Sequence, residues 1–174
     1  MSFIAKSEGQ SYEPGYFLAH EECTRETREF AQNSALVKTA DNGGKYVPMG
    51  TAYPSNDGNA VGITYEDVDV TYGNMPGSVV TAGTVIEDRL AITSTSYDAV
   101  TPVGTENPSE EGWYERSGTE GSYVYTLTTD TTVDAEKTYY EYVVTRLASA
   151  AKSALAALGF KFVTDNAANV TRPY

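Results

Sequence analysis

The chain has 174 residues, about the length of one domain, and a chain of this size buries roughly 70% of the surface it exposes when unfolded. Its composition, 40% hydrophobic and 21% charged with 14 tyrosines, is typical of a globular protein. A formal net charge of −12 disfavours binding to phosphate backbones and anionic lipid surfaces, because like charges repel. We therefore expect neither nucleic acid nor a membrane as a partner. A single Cys and a single His exclude an internal disulfide, a Cys-based zinc site and a site built from several histidines.

The first 45 residues lack a regular apolar pattern. They contain Pro14, Gly15 and a polar stretch, HEECTRETREFAQNS, near which only Leu18 and Phe30 offer an apolar face. Such a segment gains too little from burial to offset the conformational entropy that ordering costs. We therefore expect residues 1–45 to be an arm that is loose in isolation and becomes ordered against a partner. The alternative is an N-terminus that lies along the surface of the body.

Strand signals dominate the next part of the chain. Turn residues interrupt them: Asp57-Gly58 predicts a tight hairpin with positive φ, and Met-Pro-Gly at 75–77 predicts another turn. Val68 and Val70 alternate with polar residues, as in a strand that exposes one face to water. The pattern predicts antiparallel β structure rather than βαβ units. The β-branched and aromatic runs that carry it are KYVPMGTAY, AVGITY, DVDVTY and GSVVTAGTVI.

Charge distinguishes residues 93–143 from the rest of the chain. This segment carries ten carboxylates against Arg116 and Lys137, a formal charge of −8, which leaves −4 for the remainder. The difference predicts a separate module inserted into a host domain that consists of residues 46–92 and 144–174.

The inserted segment is itself predicted to be β. Its strand candidates are GWYER, SYVYTLTT and KTYYEYVV, which predict an Ig-like or three-stranded module. Tyr123, Tyr125 and Leu127 fall on one face of the second candidate, with Trp113 available to cover them. We expect a small unit centred on Tyr and Trp that is marginally stable by itself.

One helix is predicted from about residue 146 to 158. Thr145 is placed to cap its start, and Gly159 is placed to end it in a left-handed turn. Residues 160–163 then predict a strand that returns to the sheet. The apolar stripe of the helix comprises Leu147, Ala151, Ala154, Leu155 and Leu158.

Motifs of catalysis and metal binding are nearly missing. The sequence has no Gly-rich phosphate loop, GxSxG, HExxH or EF-hand spacing. His20 and Cys23 are spaced as a base and a nucleophile on one helical turn, but no third orienting group accompanies them. Glu66, Asp67 and Asp69 suggest a calcium site, yet a strand puts Glu66 on the other face, which favours a solvated strand. We therefore expect no enzyme, catalytic residue, cofactor or metal.

Two neighbouring aromatic residues support a different kind of function. Trp113 and Tyr114 follow an acidic loop, and flat aromatic faces of this kind stack on sugar rings. They predict a glycan-stacking site and thus a carbohydrate-binding or adhesin-like surface module of the head-fibre type. The competing interpretation places both residues in the core of the inserted module.

Several segments resemble phage proteins. KYVPMGTAYPSNDGNAVGITYEDVDVT, with DGNAVGI at 57–63, resembles the Asp-Gly-x-Ala-Val-Gly stretch of the lambda-type head decoration proteins of tailed phages. PGSVVTAGTVIEDRL and LASAAKSALAALGFKFV resemble other parts of that domain, and GTENPSEEGWYERSG resembles a small module found in phage structural proteins. The resemblance covers most of residues 35–165. The chain departs from the family by its longer arm and by the insertion after Arg89-Leu90, so the family's capsid contacts are not transferred residue by residue.

The resemblance implies a virion protein made in the cytoplasm of a host bacterium. Its fold is expected to be a β-tulip-like body with one helix, and its partners are expected to be the major capsid protein and two further copies of itself in a homotrimer. It is expected to bind the outer surface of the assembled shell and to stabilise it, with residues 93–143 projecting outward. The arm residues expected to contact the capsid are Tyr16, Phe17, Leu18, Arg25, Arg28 and Phe30.

Overall fold

The chain is mainly β with one α-helix, as its strand patterns predict. A computed structural model describes residues 13–102 and 106–164. The strands of the first half are β1 (Thr24–Phe30), β2 (Lys38–Thr39), β3 (Lys45–Val47), β4 (Ala52–Tyr53), β5 (Gly62–Thr64), β6 (Val68–Asp69), β7 (Met75–Ala82) and β8 (Thr84–Ile86). The second half contains β9 (Ser94–Ala99), β10 (Tyr114–Ser117), β11 (Val124–Leu127), β12 (Tyr139–Thr145), α1 (Ser149–Ala157) and β13 (Lys161–Val163).

The described residues form two compact units. The body unit contains the residues up to Thr93 and those from Arg146 onward, and the acidic unit is Ser94–Thr145. The charge distribution predicts this boundary at 93 and 143. The C-terminal end differs because β12 continues to Thr145, which pairs with Ser94 at the start of β9.

The body unit is built on antiparallel pairs, with one exception. Its largest sheet has the order β1-β7-β5-β4, and β2, β3 and β6 form a smaller antiparallel sheet. β13 instead pairs parallel to β8, which corrects the expectation of purely antiparallel structure. A parallel pair requires a long crossover, and α1 lies within the connection that makes one.

Two hydrophobic clusters stabilise the body unit. Val68 and Val70 are buried while Asp67 and Asp69 are partly exposed, so the predicted alternation is confirmed. The first cluster contains Phe17, Leu18, Ala52, Ala60, Ile63, Val80, Val85, Leu90, Ala151, Leu155 and Phe160. The second contains Phe30, Val47, Val68, Val70 and Val79.

Residues 13–45 belong to the body unit, and the prediction that they form a loose arm is wrong. β1 pairs with β7 along its whole length, and Phe17, Leu18 and Phe30 are at most 2% exposed. The alternative of an N-terminus that lies along the surface of the body fits the exposed residues Thr24–Glu29, but it does not account for the burial of Phe17, Leu18 and Phe30. Phe17 and Leu18 lie in a short apolar run at 16–19, and Phe30 stands alone in polar sequence. Distant strands and the helix supply the clusters that bury them, so no local period reveals them. The remaining part of the predicted arm, residues 1–12, lies outside the described residues.

Two predicted turns also differ from the structure. Gly58 does not adopt a positive φ, and residues 54–61 form a longer connection between β4 and β5 instead of a tight hairpin. The Asp57 carboxylate organises this loop by accepting the Asn59 N–H at 2.8 Å. Met-Pro-Gly at 75–77 opens β7, and the chain turns just before it, where Gly73 has a φ of 145°.

The helix is confirmed, but its predicted N-cap is not. α1 begins at Ser149, and the N-cap residue is Ala148, whose side chain makes no cap hydrogen bond. Thr145 cannot cap the helix because it is the last residue of β12. Gly159 follows the helix with a φ of 100°, as predicted for a left-handed end. Within residues 13–102 and 106–164, no helix has the length and apolar character needed to cross a membrane.

Two glycines of the DGNAVGI stretch are expected to respond differently to substitution. A Cβ atom on Gly62 would overlap the Val80 carbonyl oxygen, whereas one on Gly58 would meet nothing within 4 Å. We expect Gly62→Ala to lower the free energy of unfolding by about 1–3 kcal/mol through overpacking. We expect Gly58→Ala to raise it by about 0.4–1 kcal/mol by restricting the unfolded chain. Urea denaturation measures both, and equal effects would contradict the explanation.

The acidic unit is a four-stranded antiparallel sheet in the order β11-β10-β12-β9. The three predicted strands are present as β10, β11 and β12. The expectation of a three-stranded module is wrong because it omits β9, whose polar sequence STSYDA gave no strand signal beyond Tyr97. β9 is instead held by its six-residue pairing with β12.

Candidate functional site

Asn56 lies where the chain leaves the body unit and where it returns. Its Nδ2 atom donates to Thr93 Oγ1 and to the Arg146 carbonyl oxygen, both at 3.3 Å. Its Oδ1 atom accepts the Ala148 N–H at 2.9 Å. The Thr93 hydroxyl also donates to the Arg146 carbonyl at 3.2 Å. One amide side chain therefore holds the two connections to the acidic unit side by side.

Further contacts within the body unit hold this junction in place. The Arg146 guanidinium donates to the Leu90 carbonyl oxygen at 2.6 Å, and Lys38 Nζ donates to the Ile92 carbonyl at 2.7 Å. The Asn59 N–H, followed by the Ser55 hydroxyl, lowers the pKa of the Asp57 carboxyl next to Asn56. The sequence of this loop predicts only a turn, because nothing local distinguishes a junction asparagine from a turn asparagine.

A tyrosine cluster forms the centre of the acidic unit's sheet. The Tyr97 and Tyr125 rings stack with centroids 4.0 Å apart, although they come from the two edge strands β9 and β11. Burial among its neighbours raises the pKa of Tyr97. The members of the cluster are Tyr97, Tyr114, Tyr125, Tyr140 and Tyr142. The predicted unit has its tyrosine centre, but Trp113 is not part of this cluster, and Tyr123 and Leu127, predicted to be covered, are 41% and 56% exposed.

Trp113 packs against Tyr139, not against the tyrosine cluster. The two rings are 5.6 Å apart, and their side chains are 7% and 0% exposed. Successive residues of a strand point to opposite faces, so Trp113 and Tyr114 separate at the start of β10. The predicted glycan-stacking pair is therefore wrong: Trp113 is buried, and Tyr114 contacts Tyr97.

A charged network covers the Tyr139 side of the sheet. The Tyr139 hydroxyl donates to Asp130 Oδ2 at 2.7 Å, and Lys137 Nζ donates to the same oxygen at 2.8 Å and to Glu115 Oε1 at 3.2 Å. The hydrogen bonds from Lys137 and then Tyr139 lower the pKa of Asp130. Burial, followed by the bond to Asp130, raises the pKa of Tyr139. The network ties the 128–138 loop to the sheet.

Acid is expected to weaken the acidic unit through Asp130. Its folded-state pKa lies below the ordinary value of 3.8, so its contribution to stability is present above that value and is lost as the pH falls through the folded-state pKa. Trp113, the only tryptophan, reports unfolding of this unit by fluorescence. We expect Asp130→Asn to lower the neutral-pH melting temperature and to flatten its decline as the pH falls below the ordinary pKa of 3.8.

Asp98→Asn is the matched control, because Asp98 lies exposed on β9 of the same unit. It is expected to keep the wild-type decline in acid. An Asp130→Asn protein that declines as steeply as the wild type would contradict the role of this carboxylate.

The predicted catalytic and metal-binding candidates do not converge. His20 is exposed, and Cys23 lies partly buried in the first cluster. Asp67 and Asp69 accept backbone N–H groups, from Met49 at 2.8 Å and Thr71 at 2.9 Å. The part of the chain that the structure describes contains no group of three or more His, Cys, Asp or Glu side chains arranged to hold a metal ion.

The predicted capsid-binding residues are divided between core and surface. Phe17, Leu18 and Phe30 are buried, so the folded body cannot present them to a capsid, and their prediction as contacts is wrong. Tyr16 is partly exposed beneath the Arg89 guanidinium. The guanidinium of Arg25 lies over the ring of Tyr65, and Arg28 pairs with Glu26; both arginines are exposed on β1.

No family model matches the chain, and no curated protein or solved structure is significantly similar to it.

Proposed function

We propose that the chain is a head decoration protein of a tailed phage. In this proposal it binds the outer surface of the assembled shell as a trimer and stabilises that shell. Two features support it: the resemblance over residues 35–165, which includes DGNAVGI, and a mainly β body with one helix. The body is proposed to be β-tulip-like, with the acidic unit as its insertion.

The uneven charge of the two units is the observation that supports a particular orientation of the chain on the shell. The acidic unit holds −8 of the formal charge of −12. Copies arrayed on a shell repel one another through these units unless solvent separates them by more than the screening length, about 8 Å at physiological salt. The proposed arrangement therefore puts the body unit on the shell and the acidic unit away from it.

The Asn56 junction supports the same arrangement. Insertions are tolerated where their two ends lie close together on an exposed loop. Asn56 binds both Thr93 and Arg146, the residues that flank the acidic unit. A module attached in this way can be replaced by a short linker without stretching the body unit.

The arm is proposed in a shortened form. Residues 1–12 keep the proposed role of the capsid-binding arm. Among the residues of β1, the exposed Arg25 and Arg28 remain candidates for capsid contact. Phe17, Leu18 and Phe30 are no longer part of this proposal, because they stabilise the body unit.

Binding to empty shells tests the function. Expanded shells of the phage that encodes this chain, assembled without it, are mixed with the full chain and with a variant in which a short Gly/Ser linker replaces Ser94–Thr145. We expect both proteins to sediment with the shells, and we expect a reconstruction to show trimers that lose only outward density in the variant.

Four outcomes would count against the proposal or a part of it. A full chain that stays in the supernatant rejects decoration, and isolated single copies on the shell reject the trimer. A folded linker variant that fails to bind places the acidic unit in the interface. Binding to a glycan array by a protein that ignores shells would favour the carbohydrate-binding alternative.

A further inference from the structure

The outer edge of β1 is unpaired among the residues that the structure describes. β1 lies at the end of the largest sheet of the body unit, with β7 on one side, and no other strand of residues 13–102 and 106–164 pairs with its second side. Thr24 to Glu29 are all exposed, although Tyr65 lies under the Arg25 guanidinium and the Tyr53 hydroxyl and the Asn74 amide both donate to Glu29. An edge strand of this length offers a row of backbone N–H and C=O groups to which another strand can add.

The register shows which backbone groups point outward. Ser78 of β7 directs its carbonyl to the Tyr65 N–H on the β5 side, and Ser78 is the residue opposite Thr27. Pro76, opposite Glu29, has no N–H to give. Antiparallel ladders alternate hydrogen-bonded and non-bonded pairs, so Arg25, Thr27 and Glu29 turn their backbone groups away from β7. The Glu29 carbonyl accepts the Tyr53 hydroxyl at 3.0 Å and keeps a second lone pair.

The charges of β1 are self-complementary about Thr27. If two β1 strands pair antiparallel around this residue, Arg25 faces Glu29 of the second copy, and Glu26 faces Arg28. A shift of one residue places Arg25 opposite Arg28 or Glu26 opposite Glu29. A shift of two residues places Glu26 or Arg28 opposite its own counterpart. Like charges directly opposite one another destabilise a pair of strands, so the charges select a single register.

We propose that β1 is a self-association edge whose partner is a second copy of this chain. The two β1 strands pair antiparallel around a two-fold axis at Thr27 and join two four-stranded sheets into one. Each Thr27 exchanges N–H and C=O hydrogen bonds with its counterpart, and Arg25 and Glu29 do the same at both ends. This two-fold contact does not depend on the proposed function.

The charge of the edge fits a partner that is itself strongly acidic. The chain carries −12, but Thr24–Phe30 contains two arginines and two glutamates and is neutral. Two copies can therefore approach here with less repulsion than at the acidic unit. A seven-residue edge buries less than the roughly 1,200 Å² at the lower limit of stable interfaces, so the dimer is weak and depends on concentration.

The same charges have a competing explanation, in which they keep the edge apart from other strands. Charged side chains on an edge strand do block pairing in many proteins. The two explanations differ in one respect: blocking needs charge only, whereas pairing needs opposite charges at matched positions. Exchanging the charges between two variants separates them.

Sedimentation equilibrium of the full chain at rising concentration measures the dimer. We expect Glu26→Arg and Arg28→Glu each to be monomeric, because each puts like charges opposite one another twice. An equal mixture of the two variants is expected to form a heterodimer, since every opposed pair then attracts. Lys45→Glu changes the net charge as Arg28→Glu does, but at an exposed site on β3, and is expected to dimerise like the wild type.

A backbone variant tests the hydrogen bonds separately from the charges. Thr27→Pro removes an outward N–H that the pairing with β7 does not use, and proline is tolerated at such edge positions. We expect a normal thermal melt and loss of the dimer. The proposal is overturned by a wild-type protein that stays monomeric, by single charge variants that still dimerise, or by a variant mixture that does not associate.

Discussion

Deletion of residues 1–34 is expected to unfold the body unit. The deletion removes β1 and the buried side chains Phe17, Leu18 and Phe30. Truncating large core side chains costs about 2–5 kcal/mol each, and three such losses approach the 5–15 kcal/mol that stabilises a typical domain. Hydrogen exchange measured by mass spectrometry is expected to show β7 amides exchanging without protection, since β7 loses its pairing with β1.

Single substitutions provide the control for this truncation. Phe30→Ala is expected to cost about 3–5 kcal/mol, because the ring is 2% exposed and packs against Tyr53 at 5.0 Å. Tyr72→Ala removes an aromatic ring that is 97% exposed and is expected to change stability by less than about 0.5 kcal/mol. A truncated protein with wild-type protection of β7 would show that the N-terminal segment is an independent arm after all.

Tyr139→Ala is expected to unfold the acidic unit. Tyr139 is fully buried, packs on Trp113 and donates its hydroxyl to Asp130. Removing a buried aromatic ring costs about 3–5 kcal/mol. Neither of the two hydrophobic clusters contains a residue of the acidic unit, and Trp113 and Tyr140 are the other buried hydrophobic residues described in this unit. A red shift of Trp113 emission at room temperature is the expected measurement.

Two further variants separate the contributions of the ring and the hydroxyl. Tyr139→Phe keeps the ring and removes the bond to Asp130, so we expect a folded unit that is less stable by about 1–3 kcal/mol. Tyr123→Ala, at a residue 41% exposed, is expected to leave Trp113 emission unchanged. Unshifted emission from Tyr139→Ala would contradict the assignment of Trp113 and Tyr139 to the core of this unit.

The β1 edge and the proposed trimer are contacts of different symmetry. A two-fold contact uses one surface against itself, whereas a three-fold contact joins two different surfaces of each copy. Variants that break the dimer in solution are therefore informative whether or not the chain binds shells. Loss of shell binding with an intact dimer would reject decoration and leave the edge pairing in place.

Local features of this protein were predictable from its sequence. Of the apolar stripe predicted for α1, Ala151 and Leu155 are buried, whereas Leu158 is 50% exposed. The alternation of Val68 and Val70, the helix itself and the left-handed end at Gly159 all appear in the structure. Each depends on residues a few positions apart, whose spacing has only a few sterically allowed conformations. The excess of carboxylates in residues 93–143 likewise required no structure to detect.

The tertiary structure decided which distant residues meet. Phe30 stands alone in polar sequence, and Phe17 lies in a short apolar run at 16–19. Strands and a helix of later residues supply most of the apolar neighbours that bury them. Asn56 acquires its role because Thr93 and Arg146, which are far apart in the chain, come together beside it. β9 has little apolar content of its own and is a strand because β12 pairs with it. In each case the stabilising partner is remote in sequence, and only long-range packing and strand pairing identify it.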